Sequence, residues 1–391
     1  QPYSGGNGPI QLSNNDPLNG IIRLGTSDLF EDWKIAGGFR ISTDLTNNEY
    51  ILTTQYLKKR IDYGFTYYRN GALYGSNVGD VKLFSNLYQG TVSYPFNRVR
   101  SLRFNMGYRS DKYVYLANKD VPQTLDLDDI RQTYALARIE FIHDDAISPV
   151  MNIWKGLRWK AYLDYNFQIG KNTGTGSGEN PYIMNFGFDA RHYLPIYRNV
   201  SWSVRAAADF SWGSQKIIYY LGGVDNWLMF GNNQRSDGSY KYFDPSNKPD
   251  PDVDYAYQSL AVNLRGFKQN VANGNNAFVI NSEIRVPVFT TFFNKPINNA
   301  FLRNFQIVQF ADLGTAWNGK YDKLERPSVS YTGGPINVKV KAGGIGPFAG
   351  GYGFGARSTL LGYFIRFDAA WQMNGLFEGK PQYYFAMGLD F

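Results

Sequence analysis

The chain alternates apolar and polar residues with a period of two, and it does so in runs of about thirteen residues. From Leu157 to Ile169 the odd positions include Leu157, Trp159, Leu163, Tyr165 and Phe167, and the even positions are Arg158, Lys160, Tyr162, Asp164, Asn166 and Gln168. Val200 to Trp212 repeats the pattern, with Val200, Trp202, Val204 and Phe210 set against Ser201, Ser203, Arg205 and Asp209. Successive side chains of a strand point to opposite faces, so each run has one apolar and one charged face. Strands of soluble sheets are typically ~5–6 residues long. A run twice that length suits a tilted strand crossing a bilayer, which needs ~9–11 residues in the hydrocarbon.

Fifteen such runs are legible, ten between Ile21 and Trp212 and five between Phe278 and Phe391. Short connections (Pro95 to Asn97, Pro195 to Asn199, around Leu360) alternate with long polar ones (110–129, 170–181, 213–276, 318–347). Membrane barrels place short turns in the periplasm and long loops outside. Counting back from a periplasmic C-terminus, the first run starts outside, so a sixteenth strand is expected near Ile10–Leu12. The expected fold is all-β, a transmembrane antiparallel β-barrel of about sixteen strands over 20–391. Residues 1–19 are a linker or first strand, 213–276 form one long extracellular loop, and Gln234–Asp254 is its polar tip.

Composition removes several other classes. Mean hydropathy is −0.38 and no window approaches the ~18 apolar residues of a membrane helix. The 30 Tyr, 28 Phe, 8 Trp and 41 Gly suit strands, turns and interfacial aromatic girdles. A large soluble sandwich or propeller has similar composition, but no propeller-length repeat is visible. There is no cysteine for disulfides or thiolate metal sites, and the two histidines, His143 and His192, fall in different runs. Asp244, Asp250, Asp252 and Asp254 lack the spaced glycine of a calcium loop and read as solvated loop acids. Gly353-Phe354-Gly355 and Gly343-Gly344-Ile345-Gly346 precede no helix, so they mark bends or close packing, not phosphate binding. No Ser-His-Asp or paired-carboxylate set is present, so no enzyme activity, metal or cofactor is expected. The net charge of +7 is dispersed at alternate strand positions and strand ends (Lys58, Lys59, Arg60; Arg98, Arg100, Arg103). That pattern argues against nucleic acid and for lipid phosphates, including those of lipopolysaccharide, at the strand ends. Gln1 opens into polar sequence with no leader, so a removed signal or a longer parent chain is expected.

The motif Leu264-Arg265-Gly266-Phe267 lies in a glycine-bearing loop, and two acids, Glu283 and Asp312, follow on the next two runs. In the first of these, Phe278, Ile280, Ile284 and Val286 take the lipid phase, which turns Glu283 and Arg285 inward. In the second, Phe305, Ile307, Ala311 and Leu313 turn Phe310 and Asp312 inward. A guanidinium binds a carboxylate in bidentate geometry. From about Tyr219 to Phe391 the motifs occur in one order: Gly222-Gly223, the Arg265 tetrad, Glu283-x-Arg285-x-Pro287, Phe310-x-Asp312-x-Gly314, Gly353 to Arg357, Gly362 to Asp368 and a terminal aromatic. This order resembles the BamA-type outer-membrane assembly barrels. About forty residues separate Gly223 from Leu264. In that length, and in Tyr219 to Leu228, the chain looks most like the Bacteroidetes barrels fused to a TolB-like propeller.

The resemblance implies a loop six folded into the lumen and locked by Arg265, Gly266 and Phe267 against Glu283, Phe310 and Asp312, with Asp312 favoured over Glu283. It implies that Tyr383, Phe385, Met387, Leu389 and Phe391, on one face of the last run, form the C-terminal insertion signal of outer-membrane barrels. It also implies a weakly paired seam between first and last strands, loosened by Gly20, Gly25 and Pro381, that templates client polypeptides delivered by periplasmic or lipoprotein partners. A passive porin and an accessory docking barrel remain open as alternatives.

Overall fold

Each alternating run forms a strand. A computed structural model describes the chain except for residues 1–19, 42–47, 77–78, 117–126, 171–180, 261–262, 295, 322–323, 333–336 and 391. The strands are β1 (Gly20–Ser27), β2 (Trp33–Ile41), β3 (Asn48–Tyr56), β4 (Asp62–Ser76), β5 (Gly79–Pro95), β6 (Arg100–Leu116), β7 (Ile130–Asp144), β8 (Ile147–Val150), β9 (Ile153–Gln168), β10 (Tyr182–Tyr197) and β11 (Val200–Gly213). They continue with β12 (Lys216–Leu221), β13 (Tyr255–Leu260), β14 (Ala272–Gly274), β15 (Asn276–Pro287), β16 (Gln306–Trp317), β17 (Ser328–Thr332), β18 (Asn337–Lys341), β19 (Gly344–Ile345), β20 (Phe348–Leu360), β21 (Tyr363–Gln372) and β22 (Gln382–Met387). Two short helices, α1 (Val288–Phe292) and α2 (Ala300–Arg303), join β15 to β16. No helix is long and apolar enough to cross a membrane.

Fifteen of these strands make one antiparallel wall, in the order β1 to β7, β9 to β11, β15, β16 and β20 to β22. β5 and β6 are each 17 residues long, or roughly 55 Å at ~3.3 Å per residue. The sixteenth strand expected near Ile10–Leu12 lies outside the described residues. Among those described, no ladder joins β22 to β1.

Burial is inverted relative to a soluble protein. In β9, Lys160, Tyr162, Asp164, Asn166 and Gln168 are buried, whereas Leu163, Tyr165 and Phe167 are 37%, 41% and 37% exposed. Met106, Trp202, Ile307 and Phe354 are likewise exposed on the outer face. Such a surface is stable where the outer solvent is hydrocarbon and every backbone group is paired within the sheet. One such sheet, curled around polar side chains, is the wall of a transmembrane barrel.

The turns at 28–32, 57–61, 96–99, 198–199 and 361–362 share a rim with the end of the chain, and the 213–275 and 318–347 connections share the opposite rim. Lys58, Lys59, Arg60, Arg98 and Arg100 therefore sit on the C-terminal rim. Arg103 faces inward, with Nη1 3.4 Å from Glu140 Oε2.

Folded protein in detergent should give a β-dominated far-ultraviolet circular dichroism spectrum and should migrate differently before and after boiling. A monodisperse folded species in buffer without detergent would contradict the inverted surface.

Candidate functional site: an arginine-locked loop

The connection 213–275 folds as a small unit. β12 runs parallel to β13 and antiparallel to β14. Its apolar side chains Ile217, Tyr219, Leu221, Tyr257, Leu264, Phe267 and Val271 cluster with the wall residues Ile183, Ala277, Val279, Ala316 and Ala349. The inward phase of β15 explains the layering. Ala277 and Val279 meet this cluster, and Asn281, Glu283 and Arg285 beneath them line a charged layer.

The loop touches the inner face of the wall from β6 to β22, so the sheet curls around it. Tyr257 stacks under Arg109 of β6 at 5.0 Å and its hydroxyl accepts from Asn166 of β9 at 3.3 Å. The Tyr219 hydroxyl bonds Asn185 of β10 at 2.9 Å. The segment Asn226–Leu228 reaches the far edge of β22. There the Leu228 N–H donates to the Phe385 carbonyl at 2.8 Å and the Met387 N–H donates to the Asn226 carbonyl at 3.4 Å, with Trp227 and Ala386 paired as an antiparallel bridge.

Arg265 is 3% exposed, yet every face of its guanidinium is matched. Nε and Nη2 clamp Asp312 at 2.6 and 2.8 Å, Nη1 meets Glu283 Oε1 at 2.6 Å, and the backbone N–H donates to Asp312 Oδ2 at 3.1 Å. The Phe310 ring lies 3.7 Å from Arg265 Cζ, a cation–π contact. Bidentate pairing gives Asp312 the larger share. Asn281 Nδ2 donates to Asp312 Oδ1 at 2.9 Å and to the Asn263 carbonyl at 2.8 Å, fixing both carboxylate and loop.

Backbone shape admits the loop. Gly266 has φ +95°, a left-handed conformation that disfavours any Cβ. A Cβ on Gly351 of β20 would collide with the Arg265 carbonyl oxygen. The close-packing role read for the glycine-rich β20 segment thus applies here, one turn before the Gly353-Phe354-Gly355 run. Tyr384 of β22 closes the site: its hydroxyl accepts from the Gly266 N–H at 2.9 Å and donates to the Phe267 carbonyl at 2.6 Å.

The charged layer extends toward the C-terminal rim. Glu283 also binds Arg285 at 2.8 Å, and Arg285 Nη1 donates to the Asn152 carbonyl at 3.3 Å. Asn152, in the β8–β9 turn, bonds Asp390 at 2.9 Å through Nδ2 and at 3.0 Å through the Asp390 N–H. Asp390 pairs with Arg357 at 2.9 Å and Arg366 at 3.2 Å, and Arg357 pairs with Asp368 at 2.8 Å. Four guanidiniums and four carboxylates thus neutralise one another. Sequence reading missed Tyr384, Asp390, Asn152 and Asn281. Arg357, Arg366 and Asp368 fell within motifs it quoted, without a partner.

On β22, Tyr383 and Phe385 face outward at 57% and 37% exposure, and Leu389 is 37% exposed. Met387 is half-buried and Phe391 lies outside the described residues. Gly388, with φ +111°, turns the chain after β22 so that Asp390 points inward. Asp244 is a correction to the solvated reading of the 234–254 tip: it is buried, and its Oδ1 accepts from the Ser246 N–H at 3.0 Å. Asn233, Asn247 and Asn270 bond backbone groups there, which lets part of a polar segment pack. His143 lies 3.5 Å from Asp145, His192 is exposed, and among the described residues no group of His, Asp or Glu is placed to hold a metal. A polar cavity of about 580 Å³ lies along the inner face of β3 to β9, lined by residues such as Gln55, Asp62, Arg103, Glu140 and Arg158.

The wall and its inward loop define an antiparallel membrane barrel with an arginine-locked plug. Among solved structures, it is similar to BamA from Haemophilus ducreyi lacking POTRA domains 1-3, at a TM-score of 0.56 and 11% identity over 96% of this chain and 68% of that one. It is also similar to CdiB from Acinetobacter baumannii, at a TM-score of 0.51 and 11% identity, covering 94% of this chain and 55% of that chain. The chain therefore spans about half the length of that CdiB. No family model matches.

Arg265→Ala leaves two buried carboxylates without their main partner and should lower stability by about 3–5 kcal/mol, read as a lower temperature for the gel-migration change. Arg265→Lys should not restore it, because an ammonium cannot reproduce the fork. Gly351→Ala should cost about 1–3 kcal/mol by pushing the loop from the wall. Stability equal to the parent in Arg265→Ala would show that the lock contributes nothing.

Proposed function

We propose that this chain is the barrel of an outer-membrane machine that inserts or translocates polypeptides, acting through the edge of β22. The observation that carries the reading is the pairing of that edge with Asn226–Leu228, a short segment of the chain's own loop held there by one antiparallel bridge. In lipid an unpaired edge is costly, so an edge that accepts a short exchangeable segment is suited to accept an incoming strand. β22 is itself weakly held, with six residues between Pro381 and the left-handed Gly388. The Arg265 lock braces the lumen while that edge exchanges partners. The inward loop locked by Arg265 is the feature that sets this reading apart from a passive porin.

The reading includes residence in the outer membrane, no enzymatic activity, and work with periplasmic or lipoprotein partners that gather unfolded clients. The long 224–263 insertion and the Tyr219 to Leu228 run further support kinship with the Bacteroidetes barrels that carry a TolB-like propeller.

The chain has no native cysteine, so single cysteines report cleanly. During insertion of an unfolded barrel client bearing a cysteine in its last strand, Tyr383→Cys should form a disulfide adduct, and Met106→Cys in the middle of the wall should not. Trp227→Ala, which removes the ring packed 4.7 Å from Tyr384, should raise adduct yield several-fold by freeing the edge. No adduct together with a steady ohmic conductance in planar bilayers would replace this reading with the porin.

A further inference from the structure

The connection between β15 and β16 is unlike the other turns of its rim. Instead of a tight reversal it carries α1 and α2, with Phe292, Phe293, Phe301 and Leu302 exposed at 64%, 58%, 40% and 38%. Strand phase shows which side of the wall these residues occupy. Phe305 shares the outward phase of β16 with the exposed Ile307, and Phe289 and Phe301 pack on it at 5.9 and 6.1 Å. Ser358 shares the outward phase of β20 with Phe354, and its hydroxyl donates to the Phe301 carbonyl at 2.6 Å. The aromatic part of the helical connection is therefore folded over the outer face of β16 and β20.

Three further features characterise this face. The apolar surface continues sideways through neighbouring turns, with Ile196, Tyr197 and Leu361 exposed at 58%, 56% and 89%. Between Val286 and Ala311 the sequence has Lys295 and Arg303 and no acid. Arg198 of the β10–β11 turn is tied in, its Nη1 donating to the Thr291 carbonyl at 2.8 Å. Exposed aromatics bordered by cations at the end of a lipid-facing belt match the chemistry of a phospholipid headgroup boundary. Aromatic rings settle in that layer, and basic side chains meet anionic phosphates.

We infer that α1 and α2 form an interfacial anchor that seats Phe292, Phe293, Phe301 and Leu302 in the leaflet at the C-terminal rim, with Arg198 and Arg303 at phosphate level. The inference rests on the membrane-barrel reading. Its position gives it a use: it grips the bilayer two strands before β22, holding the wall still beside the edge that exchanges partners.

Nitroxide labels on Phe292→Cys, Phe293→Cys and, as a belt control, Phe354→Cys test it in vesicles of phosphatidylethanolamine and phosphatidylglycerol. Each variant is first checked for the folded gel migration. The expected result is oxygen collision exceeding that of a water-soluble nickel chelate at all three sites, with the two loop labels ~5–10 Å into the boundary and the control deeper. Lipid contact at Phe354 with chelate-dominated collision at both loop sites overturns the anchor alone, and points to a protein partner for the patch. Chelate-dominated collision at all three sites overturns the membrane barrel and the anchor together.

Discussion

A guanidinium sealed from water has to be matched by carboxylates in fixed geometry, and the interior of this barrel is arranged around that requirement. Burying an ion costs several kcal/mol unless opposite charge and hydrogen bonds replace its hydration. Arg265 meets the condition with Asp312 in a two-point clamp, Glu283 on the third donor and Phe310 beneath. Asp312 and Glu283 come from adjacent wall strands, so the clamp holds loop and wall in one register. Glu283 then passes the demand for charge on to Arg285, and Asn152 links that arginine to the cluster around Asp390. The lock thus belongs to a neutral network running from the loop to the end of the chain.

Two solvents act on the wall. Hydrocarbon outside selects Leu163, Phe167, Ile307 and Phe354, and the polar interior selects Asp164, Asn185, Glu283 and Asp312 on the alternate positions. The period of two lets one strand serve both. The loop adds a third environment, a dry cluster on the side away from the C-terminal rim in which Leu264, Phe267 and Val279 pack. That cluster and the ionic layer below hold the loop in place by different physics, one insensitive to salt and the other dependent on complete pairing.

The last strand is where these constraints meet. Its inward Tyr384 bonds the loop backbone on both sides of Gly266, and its free edge takes a segment of the same loop. The position of the loop and the pairing of the edge therefore rest on hydrogen bonds to the same strand. The aromatic connection over β16 and β20 lies on the other face of the same wall.

The sequence alone determined the strands, their phase and the pairing of Arg265 with inward acids. Alternation over a dozen residues has few physical solutions, and an arginine in a glycine-bearing loop opposite two in-phase acids has few partners. The expected inward direction of Glu283, Arg285, Phe310 and Asp312 followed from counting by twos. The local code failed where residues distant in sequence become neighbours by curvature. Tyr384 reads as one more aromatic in a terminal strand, Asn152 as a turn residue and Gly351 as a bend. Their roles depend on a wall that curls until β22, the β8–β9 turn and the 213–275 loop share one interior. Asp244 reads as solvated in company with Asp250, Asp252 and Asp254, whereas Asn270, far along the chain, donates to its backbone carbonyl in a packed segment that buries it. Tertiary structure alone decided that the edge of β22 is taken by its own loop. Which segment meets that edge is set by the curvature of the whole sheet, and no local propensity encodes that.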